Sequence, residues 1–272
     1  DDDEENNNDD DDENAAAAAA HARNERRLKL ILLLQRYHHK CNKLPVRKRN
    51  RIDALIEIFL DDLGADIHDM ICESNAFNRH DDDLYRGLDR SRDTEEELET
   101  ALRFFPEVLS RRRYLSWETD AEEEEVWVDT VDGGDRGEYP IQYLSYRAGI
   151  VPEMCNLKAI PFLALLVRLG IELNQFEDKD ERGGLFCEDR RFEGGYNTLQ
   201  LLVCSSDSSY GVVHNLVVDI TFLRQLIRLR QMDYFRKEDI QNHILVIRLC
   251  SDNNYFAFNR FQFLVEWDPS SL

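Results

Sequence analysis

The chain has 272 residues, 42% of them apolar, enough to bury a core in one or two domains, and its formal net charge is −21. The longest apolar runs, residues 30–34 and 160–167, fall far short of the ~18 to 20 residues that a membrane-spanning helix needs, which excludes a helical membrane protein. Six cysteines, at positions 41, 72, 155, 187, 204 and 250, form no CxxC pair, which argues against a disulfide-dense secreted module and against a structural zinc site. Scattered thiols of this kind are usually buried in a reducing compartment, so an intracellular protein, cytoplasmic or nuclear, is expected. The chain opens on Asp1 and is read as a fragment or a processed product.

Charge is unevenly placed. Residues 1–13 hold ten acids and no base, whereas residues 21–51 hold eleven bases against Glu25. An acidic, Asn-rich and then Ala-rich stretch over residues 1–22 offers no face that packs and is expected to be disordered. Residues 23–50 read as a basic amphipathic helix and linker: Leu28, Ile31, Leu32 and Leu34 lie among Arg26, Arg27, Lys29 and Arg36, with an end expected before Pro45. Within the basic patch Arg47, Lys48, Arg49 and Arg51 suit nuclear import, a nucleic-acid backbone, or a solvated linker beside the acidic tail.

From residue 51 onward a helical domain is expected. Ile52, Leu55, Ile56, Phe59, Leu60 and Leu63 keep a helical spacing, and Gly64 reads as the left-handed cap that ends the helix. Thr94 with Glu97 is a capping-box signature, opening a helix through Leu98, Leu102, Phe105 and Leu109. Residues 117–138 differ: Val126-Trp127-Val128 followed by Asp132-Gly133-Gly134-Asp135 predicts a short β-hairpin finger.

An internal repeat emerges when the C-terminal helices are superposed without gaps. Ile160, Leu163, Leu166, Val167 and Leu169 fall on Ile220, Leu223, Leu226, Ile227 and Leu229, and then on Phe258, Phe261, Leu264, Val265 and Trp267. All fifteen positions are apolar, more than a shared 3.6-residue period alone produces. Leu102, Phe105, Val108 and Leu109 form a weaker fourth copy, and a shorter segment, at 139–144, 196–201 and 241–246, precedes each strong one. The expected architecture is all-α, a helix-pair repeat array with long loops.

These residues resemble the ankyrin repeat family. Tyr139-Pro140-Ile141-Gln142 and Asn197-Thr198-Leu199-Gln200 approximate its Thr-Pro-Leu-His, while Leu169-Gly170-Ile171-Glu172-Leu173-Asn174 and Leu63-Gly64-Ala65-Asp66-Ile67-His68 approximate its Leu-Gly-Ala-Asp-Val-Asn. The spacing of 58 residues between Pro140 and Thr198 exceeds the family's ~33, which implies long insertions, and a HEAT-like array is the alternative. The resemblance implies an α-solenoid that binds a protein through its open face.

No nucleotide, hydrolase or zinc-protease motif occurs, so no catalytic, cofactor or metal residue is assigned and an enzyme is not expected. An EF-hand frame through Asp178, Asp180, Gly183 and Asp189 fails because Arg182 would put a cation in the calcium site. The expected function is a protein-interaction module or scaffold whose acidic surface selects a basic partner, with Trp117, Trp127 and Tyr210 as binding aromatics and Tyr139 assigned to the core. The alternative is a nucleic-acid-associated regulator that uses residues 23–51.

Overall fold

The computed structural model describes residues 45–73, 85–113, 137–145, 155–176, 178–188, 195–206, 212–251 and 255–272. These residues are mostly helical, and among them the only β pairing is two isolated antiparallel bridges, Arg113 with Glu138 and Glu188 with Asn197.

Helix α1 (Val46–Cys72) starts at Pro45, whose φ of −57° suits a helix entrance. It passes straight through Gly64, which therefore is not a cap. A glycine inside a helix costs only about 1 kcal/mol relative to alanine, and the two turns beyond it bury Ile67, His68, Ile71 and Cys72. A Cβ on Gly64 would meet the Phe105 ring at 3.4 Å, so the missing side chain lets that ring pack close. The basic patch also differs from the linker expected of it, because residues 46–51 form the first turns of this helix.

Helix α2 (Glu95–Phe104) opens on the expected capping box: Glu97 N–H donates to Thr94 Oγ1 at 3.2 Å, and Thr94 N–H to Glu97 Oε2 at 3.1 Å. It stops before Pro106, since a residue ahead of proline is pushed out of the α region; Phe105 sits at φ −124°, ψ 63°. The stretch expected to continue the helix becomes a 3₁₀ turn, Pro106–Leu109, that buries Pro106, Val108 and Leu109.

The remaining helices are α3 (Pro140–Ser145), α4 (Leu163–Glu172), α5 (Thr198–Cys204), α6 (Val212–Gln231), α7 (Lys237–Asn242), α8 (Leu245–Ser251) and α9 (Phe258–Trp267). Helix α4 ends where its sequence indicated, with Asn174 in the left-handed region at φ 49°. The single segment expected over 241–246 is instead the junction of α7 and α8, broken at Ile244, whose φ is 46°.

Two series of packing contacts run through these helices. Helix α1 packs on α3, α3 on α5 and α5 on α8; alongside, α2 packs on α4, α4 on α6 and α6 on α9. Short and long helices also meet pairwise, α3 with α4, α5 with α6 and α8 with α9. One continuous apolar cluster, from Leu60 to Leu264, fills the space between them. Of the superposed stripe, Leu166, Leu226 and Leu264 are all buried, but Ile220 and Phe258 are 36% and 57% exposed while Ile160 is buried in a 3₁₀ turn. Burial in all three segments is therefore shared at the Leu166, Leu226 and Leu264 position and not at the Ile160, Ile220 and Phe258 position.

Charged groups tie the helices together. Arg228 of α6 grips Glu95 at the start of α2, with Nη2 2.6 Å from Oε2, while Arg168 and Arg103 reach Glu99 and Glu172 at 2.6 and 2.7 Å across the α2–α4 contact. Deeper, Arg260 of α9 is wholly buried. Its Nε donates to Asp219 of α6 at 3.0 Å, and its Nη1 and Nη2 donate to the Leu202 and Ser205 carbonyls at 3.0 and 2.8 Å. Asp219 also accepts the Asn259 and Arg260 backbone N–H groups, and so caps α9, which has no side-chain cap of its own, from a neighbouring helix.

Candidate protein-binding edge

Three buried polar side chains each reach 43 to 45 residues along the chain. His68 Nε2 lies 3.0 Å from the Arg111 carbonyl, Gln142 Nε2 donates to the Cys187 carbonyl at 3.2 Å, and Gln200 Nε2 donates to the His243 carbonyl at 3.2 Å. A carbonyl only accepts, so the His68 ring carries its proton on Nε2. The two glutamines also close their own helix starts: Tyr139 N–H donates to Gln142 Oε1 at 2.8 Å, and Asn197 N–H to Gln200 Oε1 at 2.9 Å. The two β-bridges fall beside them, ahead of α3 and α5, so the same edge of the helices carries capping, bridge and long-range bond.

The bridge before α3 pins a large excursion of the chain. Arg113 N–H donates to the Glu138 carbonyl at 2.9 Å and Glu138 N–H to the Arg113 carbonyl at 3.1 Å, so the chain leaves and returns at one point. Arg113 Nη1 also donates to the Cys72 carbonyl at the end of α1, 3.0 Å away. Next to this base, Arg112 lies over the Tyr139 ring at 4.4 Å and donates to its hydroxyl at 2.8 Å, and Tyr139 meets Phe176 edge-on at 5.3 Å. Tyr139 is thus wedged against the core, as its sequence context indicated.

Acidity concentrates in that excursion. The described residues hold 22 Lys and Arg against 26 Asp and Glu, nearly balanced, whereas residues 114–136 hold nine acids against Arg136 alone. Most of the net negative charge of residues 52–272 thus falls outside the described helices. Trp117, Trp127 and Tyr210, and the body of the expected hairpin, lie outside the described residues. Arg47, Lys48 and Arg51 are exposed on α1, and Arg49 falls within the same helix.

The side chains of Cys72, His68, His243 and Arg182 each lie against neighbouring polar groups. Cys72 Sγ lies 3.6 Å from His68 Nε2, but burial pushes the thiol well above its ordinary range and the His68 imidazole down to about 4, so both are neutral at pH 7. His243 stacks on Phe186 at 4.5 Å, its Nδ1 meets Asn197 Nδ2 at 3.1 Å, and burial again lowers its pKa. Arg182, the residue that spoils the calcium frame, donates to Asp239 at 2.6 Å and to the Tyr234 carbonyl at 2.9 Å. Among the described residues no group of three or more His, Cys, Asp and Glu side chains is arranged to hold a metal ion, and no helix is long and apolar enough to cross a membrane.

The long-range glutamine bonds and the Arg260–Asp219 pair were not read from the sequence. The first had a signal, glutamine at the fourth place of both Thr-Pro-Leu-His-like segments; the second had only a charge interrupting two apolar stretches. No family model, no curated protein and no solved structure matches the chain.

Proposed function

We propose that this protein is a protein-binding module, an ankyrin-like array of helix pairs that presents residues 114–136 to a basic surface on its partner. The observation that carries the proposal is the bridge between Arg113 and Glu138, which roots an acidic segment bearing two tryptophans on the packed edge of α1 and α3. Support for the array comes from the contact order of short and long helices and from the recurring forward bonds of His68, Gln142 and Gln200. Tryptophan supplies the large, stiff contact area of a binding hot spot, while the surrounding carboxylates steer encounter with a cationic partner.

The test compares capture of cellular proteins by the immobilised wild-type chain, by Trp117→Ala/Trp127→Ala, and by a variant with residues 114–136 replaced with a short Gly-Ser linker. A discrete partner retained by the wild type, released by salt and lost from both variants is expected. Undiminished capture by the linker variant would overturn the proposal. A nucleic-acid reading rests on the exposure of Arg47, Lys48 and Arg51; it requires RNA or DNA binding with a steep salt slope that Arg47→Ala/Lys48→Ala/Arg51→Ala flattens.

A further inference from the structure

The first half of α1 stands clear of the body of the protein. No described side chain between Val46 and Phe59 is buried, and Leu55, Ile58 and Phe59 are 58%, 57% and 57% exposed. These three share one stripe at i, i+3 and i+4, on the far side of the helix from the buried Leu60, Ile67 and Ile71. Towards the helix start the same stripe carries Lys48 and Arg51, and beyond Phe59 it carries Asp62 and Asp66, all four exposed. Among the described residues none of these four side chains has a hydrogen-bond or ion-pair partner.

We propose that this stripe is covered by the same stripe of a second copy of the chain, in an antiparallel, two-fold symmetric pair. The order of its groups selects that occupant. Bases, then large apolar groups, then acids follow one another along the helix, so a parallel neighbour would set like charges face to face, whereas an antiparallel one sets opposite charges together. The spacings agree on one centre. Lys48 and Asp66 lie nine residues either side of Glu57, Leu55 and Phe59 two either side, and Arg51 and Asp62 six and five. With the axis at the level of Glu57, Leu55 of each copy meets Phe59 of the other, while Lys48 and Arg51 come level with Asp66 and Asp62. Each copy's core-packed half, from Leu60 on, then lies beside the free half of the other. The overlap, residues 48–66, amounts to about 27 Å of helix at about 1.5 Å per residue. A contact of that length stays below the roughly 1,200 Å² that stable interfaces bury, so a reversible dimer is expected, half-formed at roughly 10 to 100 μM. This face is separate from residues 114–136, and the pairing does not rest on their binding a partner.

Sedimentation equilibrium of the full chain from about 1 to about 500 μM, a range that brackets the expected constant, tests this. The wild type is expected to pass reversibly from monomer to dimer. Lys48→Glu/Arg51→Glu and Asp62→Lys/Asp66→Lys each turn every charge pair across the axis into like charges, and each should weaken the dimer at least about tenfold. The full exchange, Lys48→Glu/Arg51→Glu/Asp62→Lys/Asp66→Lys, should restore it, as should mixing the two half-reversed variants. Leu55→Asp/Phe59→Asp should leave a monomer, and Leu55→Ala/Phe59→Ala a weakened dimer. None of these side chains is buried, so the circular dichroism of every variant should match the wild type. A wild-type monomer throughout the range overturns the proposal, as does a dimer that Leu55→Asp/Phe59→Asp leaves intact. Loss of the dimer in both half-reversed variants with no recovery in the full exchange overturns it too, because antiparallel pairing requires that recovery.

Discussion

Replacing Arg260 or Asp219 alone should destabilise the protein severely, while replacing both should cost less than the two losses combined. Arg260 has no solvent exposure, and its guanidinium makes three bonds, to Asp219, to the Leu202 carbonyl and to the Ser205 carbonyl. Removing one partner of such a buried pair leaves an uncompensated charge and typically costs about 3 to 5 kcal/mol. Arg260→Met also strips the donors from two carbonyls at the C-terminal end of α5, though Asp219 keeps the backbone N–H groups of α9. Asp219→Leu leaves a buried cation and uncaps α9. In Arg260→Met/Asp219→Leu neither charge is stranded, so the coupling between the two substitutions should be about 1 to 3 kcal/mol in favour of the double variant. Urea unfolding followed by circular dichroism gives all three values. In a chain of this size a loss of 3 kcal/mol also lowers the melting temperature by roughly 6 to 12 °C. Single losses below about 1 kcal/mol, or strict additivity, would refute the reasoning.

Three further outcomes are expected. His68 is buried neutral with its pKa lowered to about 4 from 6.5, so the folded state binds fewer protons than the unfolded state between those values. Its contribution is complete above pH 6.5 and drains away as pH falls towards 4, by up to about 3 kcal/mol, and His68→Gln should flatten that slope in unfolding curves taken across the window. Gly183 lies at φ +64° and a Cβ there would press on the Val167 carbonyl, so Gly183→Ala should lower the urea midpoint by an amount equivalent to at least about 1 kcal/mol; a neutral result would contradict the observed packing. Gln142→Ala and Gln200→Ala each lose a cap and a long-range bond. Each should cost about 1 to 2 kcal/mol, with faster hydrogen exchange in the loops that hold Cys187 and His243 respectively.

What could be read from the sequence was local. The Thr94–Glu97 box needs only residues three apart, and it formed as expected. Asn197 and Tyr139 begin their short helices because capping chemistry is likewise contained within one turn. Gly64 misled because a glycine signals a helix end only when nothing downstream is to be buried, and here Ile67 to Cys72 are. The apolar stripe at Ile160, Ile220 and Phe258 showed helical phase, whereas burial depends on which helix lies opposite, and the three differ at that position. The Arg260–Asp219 pair joins residues 41 apart and depends on the packing of three helices, which no local pattern encodes.

Pinning Arg113 to Glu138 has a consequence for how the chain can change. Since both ends of the intervening segment are fixed at one point, its length is almost independent of the helices that carry it. Each doubling of such a loop adds only about 0.6 kcal/mol of closure entropy. The position is therefore a natural port, where a longer, shorter or wholly foreign segment, even a folded reporter domain, can be installed without redesigning the scaffold.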